Sequence, residues 1–168
     1  VSNGARFDYG FAVGPSVPES VRTLPEFMAW AKANPAQANV GSPAPGSTLH
    51  FSALSLGKAA GVELTHIGFR GSQAGIQDLL GGQLPAMSSP LGEFLRHLST
   101  GKLRVLGTSC AQRSRFTPQV PTYAEQGYKD MTYSEWYGFY LPAKASSATV
   151  ARLNAALHEA LKAPEVVE

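Results

Sequence analysis

Asn39-Val-Gly-Ser-Pro-Ala-Pro-Gly-Ser-Thr-Leu-His50 is the stretch whose reading decides the fold class. A β-type run, Ala38 to Val40, enters a turn of Gly, Ser and Pro. Ser47-Thr48 then opens a helix over about 47–60, which Gly61 stops. A helix N-terminus presents N–H groups without intrahelical acceptors and carries partial positive charge, so a strand–turn–helix unit of this kind holds anions. Gly41 followed by Gly46-Ser47-Thr48 has nearly the spacing of a phosphate-binding loop, but Ser47 stands where that loop needs lysine. Without the ammonium a triphosphate is a poor guest, and a carboxylate suits hydroxyls and backbone N–H groups better. The same residues also suit an ordinary βα turn with a Ser/Thr cap.

The strand–turn–helix grammar repeats on both sides. Upstream, Phe11-Ala-Val13 reads as a strand and Gly14–Pro18 as a linker. Thr23 caps a helix, Glu26 completes a T-x-x-E capping box, and Leu24, Phe27, Trp30 and Ala31 share one face. Asn34-Pro35 ends that helix, because a residue before proline avoids the helical region. Downstream, Leu64–Ile67 leads through Phe69-Arg-Gly71 to a short helix with Ile76, Leu79 and Leu80 inward. Leu84–Met87 leads through the loop Ser88-Ser89-Pro90 to a helix with Leu91, Phe94, Leu95 and Leu98 at i, i+3, i+4 and i+7. Leu103–Leu106 is a further strand, and Thr122–Gln126 a short helix.

This alternation predicts an α/β fold, a mainly parallel sheet with helices on both faces and right-handed crossovers. Ligands of open α/β sheets bind beyond the carboxyl ends of the strands. The loops 42–48, 68–72 and 88–90, rich in Gly and hydroxyl residues, are therefore expected on one rim. The aromatic segment Thr132–Leu141 is expected as a strand beside Phe11–Val13. Trp136 and Tyr137 could line a cleft or fill a hinge. A helix over 149–162 would pack through Val150, Leu153, Leu157 and Leu161.

Composition narrows the chemistry. Of 168 residues 43% are hydrophobic, enough for a real core, and the net charge is only +2 with 15% charged residues. Nucleic acid would need a clustered basic face. The densest group, Lys102, Arg104, Arg113 and Arg115, reads as solvated surface. The single cysteine, Cys110, excludes an internal disulfide and reads as a buried thiol. No apolar run is long enough to span a membrane. His50, His66, His97 and His158 lie apart without metal-ligand spacing, so no metal or cofactor is expected. Ser55-Leu-Gly-Lys58 matches S-x-x-K without its partner motifs, and no G-x-S-x-G elbow occurs. His50, on the first turn of its helix, could touch a ligand or support the loop.

Gly41-Ser42, Gly46-Ser47 and His50 resemble the G-S-x-x-x-G-S-x-x-H signature of the Bug family, the extracytoplasmic solute receptors of tripartite tricarboxylate transporters. Further matches follow in order: Thr23 to Pro35 with the family's T-x-x-E-L-x-x-x-A-K-A-N-P helix, Gly68-Phe-Arg-Gly71 with its P-Y-K-G turn, Asp78-Leu-Leu-Gly-Gly-Gln83 with D-L-L-x-G-Q, then Gly101-Lys-Leu-Arg104, Arg113-Ser114, Val120-Pro-Thr122, Glu125-Gln-Gly127, Trp136-Tyr-Gly138 and Val150-Ala-Arg-Leu-Asn154. The resemblance covers nearly the whole chain.

The resemblance implies a type II periplasmic-binding-protein fold and a periplasmic receptor for a small organic acid, partnered by the membrane subunits of the transporter, with neither enzyme activity nor nucleic acid. The ligand residues it implies are Ser42, Gly46, Ser47 and Thr48, with Phe69, Arg70 and Gly71; Ala44, Ser88 and Trp136 are added as lining. Where many relatives carry an acidic residue and Asn, Met87-Ser-Ser-Pro90 offers only hydroxyls, which favours a ligand without a cationic amine. The match begins inside the family pattern. A complete lobe over 18–133 is therefore expected, with 1–17 and 134–168 as hinge strands and remnants of a second lobe, and with possible self-association of the fragment. Two rival classes are the sensing domain of a transcription regulator and a hydrolase using Ser47 or Ser55.

Overall fold

The side chains of Leu84 and Phe69 close over Gly41 because it has no Cβ. A Cβ there would stand 2.7 Å from Leu84 Cδ2 and 2.9 Å from Phe69 Cε2. The computed structural model, which describes residues 1–167, builds its main sheet around this point. In chain order the elements are β1 (Ser2–Phe7), β2 (Tyr9–Val13), α1 (Leu24–Ala33), β3 (Asn39–Ser42), α2 (Thr48–Ala59), β4 (Thr65–Gly68), α3 (Ser72–Leu80), β5 (Ala86–Pro90), α4 (Leu91–Leu98), β6 (Arg104–Thr108), β7 (Glu135–Phe139), α5 (Ser147–Ala160) and α6 (Pro164–Val167). They fall into two compact units, residues 8–134 and residues 1–7 with 135–168. Glu168, the last residue of the expected remnant, lies outside the described residues.

In the larger unit five strands lie in the order β4-β3-β5-β2-β6. β3 pairs in parallel with β4 and β5, whereas β2 runs antiparallel between β5 and β6. Four strands thus share one direction and the sheet is mixed through β2 alone. Phe11–Val13 does not pair with the aromatic segment as expected: β7 pairs with β1 instead. All five residues of β2 are buried, and a strand buried on both faces needs neighbours at both edges. β2 finds them in the core, so it belongs to the larger unit and not with the remnants.

Residue alternation distributes the core. Phe11, Val13, Val40 and Ala86 join Leu24, Phe27, Ala31, Ala53 and Leu56 under α1 and α2. Ala12 and Met87 face the other way, with Ile76, Leu79, Leu91 and Phe94 of α3 and α4. Helices therefore cover both faces, and the faces predicted for α1, α3 and α4 are the faces buried. Thr23 and Glu26 form the capping box: Thr23 Oγ1 accepts from the Glu26 N–H, and Glu26 Oε2 accepts from the Thr23 N–H at 2.9 Å. Arg104 is not solvated surface. Its guanidinium donates to the carbonyls of Val17, Pro18 and Val21 and anchors the segment before α1. Burial pushes the Cys110 thiol up to about 11, an inert thiol at neutral pH.

The smaller unit is a two-stranded antiparallel sheet, β1 with β7, packed by α5. Val150, Leu153, Leu157 and Leu161 are the half-buried face expected of α5, but no residue of that helix is fully buried. Trp136, Tyr137, Phe139 and Tyr140 are all exposed.

Candidate functional site

In the larger unit β3, β4, β5 and β6 all end at one edge of the sheet, at Ser42, Gly68, Pro90 and Thr108. Two backbone bonds fasten the loops after β3 and β4 together. The Phe69 N–H donates to Ser42 O at 2.9 Å and the Gly71 N–H to Pro43 O at 3.0 Å. Gly68 permits the close fit, since a Cβ there would collide with Pro45. Gly46 takes φ +84° to turn the chain into α2. Ser42, Ala44, Gly46, Ser47, Thr48, Phe69, Arg70 and Gly71 are thus gathered on one rim, with different exposures. Ala44, Gly46, Thr48, Arg70 and Gly71 are exposed, Ser47 and Phe69 partly so, and Ser42 is fully buried. The Phe69 ring lies against Gly41 and Gly75. Arg70 is the only formal charge in the segments 42–48, 68–72 and 88–90.

The expected loop Ser88-Ser89-Pro90 is instead the end of β5, because β2 continues the ladder: Ser88 pairs with Phe11, Ser89 with Gly10 and Pro90 with Tyr9. Both serines are fully buried. Ser89 Oγ donates to Ser72 Oγ at 3.0 Å, at the start of α3, while Ser88 Oγ has no partner among the described residues. Trp136 stands in the smaller unit, its ring 6.3 Å from that of Tyr140.

Three helices begin at a Ser or Thr N-cap, and one of these caps differs from the others. Thr23 caps α1 and Ser146 caps α5 by accepting an N–H of the first turn. Ser47 makes no such bond, and its buried Oγ has no partner among the described residues. The first N–H groups of α2 have no intrahelical acceptor, and their own cap residue does not supply one.

The histidines sit beside this helix start. The Gly46 N–H donates to His50 Nδ1 at 3.0 Å, which makes His50 a support for the loop. The His50 and His66 rings stack with centroids 3.7 Å apart, and His66 Nε2 lies 2.8 Å from Ser42 Oγ. Burial, and then the neighbouring His50, hold the His66 imidazole below its ordinary range. His66 was missed in the sequence. The signal was its place on β4: in the parallel register it lies opposite Val40, so it shares a face with Ser42. The Ser42–His66 contact has the length of a nucleophile–base bond. However, Ser42 is closed to solvent, and the ring beside His66 is another imidazole rather than an orienting carboxylate. No group of three or more His, Cys, Asp or Glu side chains among the described residues could hold a metal ion.

An α/β unit with helix N-termini and hydroxyls gathered at its strand ends is the build of a solute-binding lobe. The solved structures agree. The chain superposes on a periplasmic transporter protein with a TM-score of 0.91 at 29% identity, covering 99% of this chain and 55% of that one. It superposes on the R. palustris protein Rpa4515 with adipate with a TM-score of 0.88 at 26% identity, covering 98% and 54%. The model of the tripartite tricarboxylate transporter family receptor matches residues 1–168, and the chain belongs to that family. A UPF0065 protein encoded in the gbd 5′ region of Cupriavidus necator is 32% identical over 168 residues, all of this chain and 50% of the relative. The chain spans about half the length of each of these three proteins.

Proposed function

We propose that this chain is one lobe of a periplasmic receptor that presents a small organic carboxylate to the membrane subunits of a tripartite tricarboxylate-type transporter, without catalysing a reaction. The observation that carries the reading is the idle N-cap of α2. A buried hydroxyl left without a partner costs about 1–3 kcal/mol, and the helix start it fails to cap is an anion site. A carboxylate on the first turn of α2 would accept from the Ser47 and Thr48 hydroxyls and from the first N–H groups of α2, which have no intrahelical acceptor. Arg70 would reach it from the Gly71 turn. Ser42 and Ser88 would shape the floor beneath. The adipate held by the R. palustris relative is a ligand of this chemistry.

Calorimetry on the full-length protein with a panel of C4–C6 dicarboxylates tests the reading. Binding that weakens about ten- to a hundredfold in Ser47→Ala, the range for losing a hydrogen bond to a charged group, is the expected result. Unchanged affinity in Ser47→Ala, in Thr48→Ala and in the double variant would remove the assignment. Turnover of an ester panel dependent on Ser42 or Ser47 would replace it with a hydrolase.

A further inference from the structure

We propose that the stacked His50–His66 pair is a proton-linked anion latch, in which a carboxylate arriving on the first turn of α2 draws one proton onto the pair, carried by His66. The inference rests on the carboxylate reading above and adds how the bound charge is compensated.

The contacts decide where the proton goes. His50 Nδ1 accepts the Gly46 N–H, so that nitrogen carries no proton while the loop is formed. A second proton on His50 would set two donors against each other. His66 has no such restriction. In the tautomer that carries its proton on Nε2, His66 would donate to Ser42 Oγ in the neutral and in the charged form alike, so the 2.8 Å contact is compatible with a charged ring. Two imidazoliums with centroids 3.7 Å apart would repel, so the pair takes up one proton beyond its neutral state and not two.

The surroundings explain why the ligand controls that proton. β3 carries no titratable side chain between Asn39 and Ser42, and the loop to α2 carries none between Pro43 and Ser47. On β4 His66 is the only titratable residue. On α2 the two titratable residues are His50 and Lys58, and Lys58 lies about two turns further along. Arg70, beyond the end of β4, is exposed. No carboxylate on these segments favours the imidazolium, and burial, then the neighbouring His50, disfavours it. Ser47 is the N-cap of α2 and His50 lies on its first turn, with the His66 ring stacked on His50 at 3.7 Å between centroids. A carboxylate on the N-cap therefore brings an opposite charge to the side of the pair, which favours the protonated form. It brings the missing countercharge to a rim whose segments 42–48, 68–72 and 88–90 hold Arg70 as their one cation.

The test is calorimetry of adipate and succinate binding to the full-length protein between pH 6 and 8, in buffers of different ionisation enthalpy. The expected result is proton uptake approaching one per adipate near pH 6, near zero at pH 8, and affinity about three- to tenfold tighter at pH 6. A single linked proton allows at most about tenfold per pH unit. In His66→Gln, whose amide still reaches Ser42, the proton count vanishes and the affinity is flat with pH. NMR titration of the wild-type imidazoles gives the same answer without a variant, as His66 then titrates at higher pH with adipate bound than without it. Binding with no His66-dependent proton overturns the latch and leaves the carboxylate reading standing. Failure of both acids to bind at any pH overturns the reading and the latch together.

Discussion

The backbone N–H of Gly46 donates to Nδ1 of His50 at 3.0 Å, closing the turn between β3 and α2 onto the first turn of the helix that follows. Gly46 sits at φ +84°, a conformation that costs an L-residue with a side chain about 1–2 kcal/mol. The turn is therefore held by a ring and by an absent Cβ together. His50→Ala removes the acceptor and is expected to lower stability by about 1 kcal/mol and to weaken dicarboxylate binding. His50→Asn places an amide oxygen near the Nδ1 position and should recover most of both. Chemical denaturation and calorimetry on the three proteins check this. Equal stability of His50→Ala and wild type would show the bond to be incidental.

Ser47→Ala should separate stability from binding. Its hydroxyl has no partner among the described residues, and removing an unsatisfied buried group is neutral or stabilising, within about 1 kcal/mol. The same change should cost affinity. Denaturation midpoints measured without and with a saturating dicarboxylate give both signs at once. A destabilised ligand-free variant would mean that the hydroxyl serves the fold.

The ligand-free lobe should lose stability as the pH falls below the ordinary imidazole range. The folded state holds His66 below its unfolded value, first by burial and then by the nearby His50. The unfolded chain therefore binds more protons in that window, and stability rises with pH there. The contribution is fully present above an unfolded value near 6.5 and diminishes as the pH falls from it to the lowered folded value. Urea denaturation between pH 5 and 8 should show this slope in the wild type and a shallower one in His66→Gln. Parallel slopes would place the titration elsewhere.

Thr23 should matter to the fold and not to the ligand. Thr23→Ala breaks the capping box of α1 and is expected to cost about 1 kcal/mol, with the ranking of dicarboxylates unchanged. The Glu26 carboxyl is held below its usual range, chiefly by the Arg22 backbone N–H. Its contribution is present above the ordinary carboxylate range and is lost on acidification through the lowered value. A changed ligand ranking at equal folded fraction would contradict the assignment.

The 168-residue chain should self-associate through its smaller unit. Two strands alone are marginal in water, and Trp136, Tyr137, Phe139 and Tyr140 are exposed beside the open edges of β1 and β7. Sedimentation is expected to show oligomers at micromolar concentration, reduced by the double variant Trp136→Ser, Tyr140→Ser. A monodisperse monomer at that concentration would contradict this.

Local pattern determined much of this protein. The 3.6-residue spacing of Leu24, Phe27 and Ala31, of Ile76 and Leu79, and of Leu91 and Phe94 named the buried helix faces. Thr23 and Glu26 marked where α1 starts, and Gly41 to Thr48 marked a strand–turn–helix unit with hydroxyls at its turn. These signals lie within one or two turns of chain, where sterics and burial are settled by near neighbours. What the tertiary structure decided depends on partners far away in the chain. β2 and β5 lie more than 70 residues apart, and their pairing made the sheet mixed and turned Ser88 and Ser89 from loop into buried strand. The register of β4 on β3 put His66 on Ser42, and α2 then laid His50 over it. A hydroxyl or an imidazole reads the same in sequence whether it faces solvent, a ligand or another ring. Only the long-range strand pairing, which costs chain entropy and is paid back by burial, settles which of these it meets.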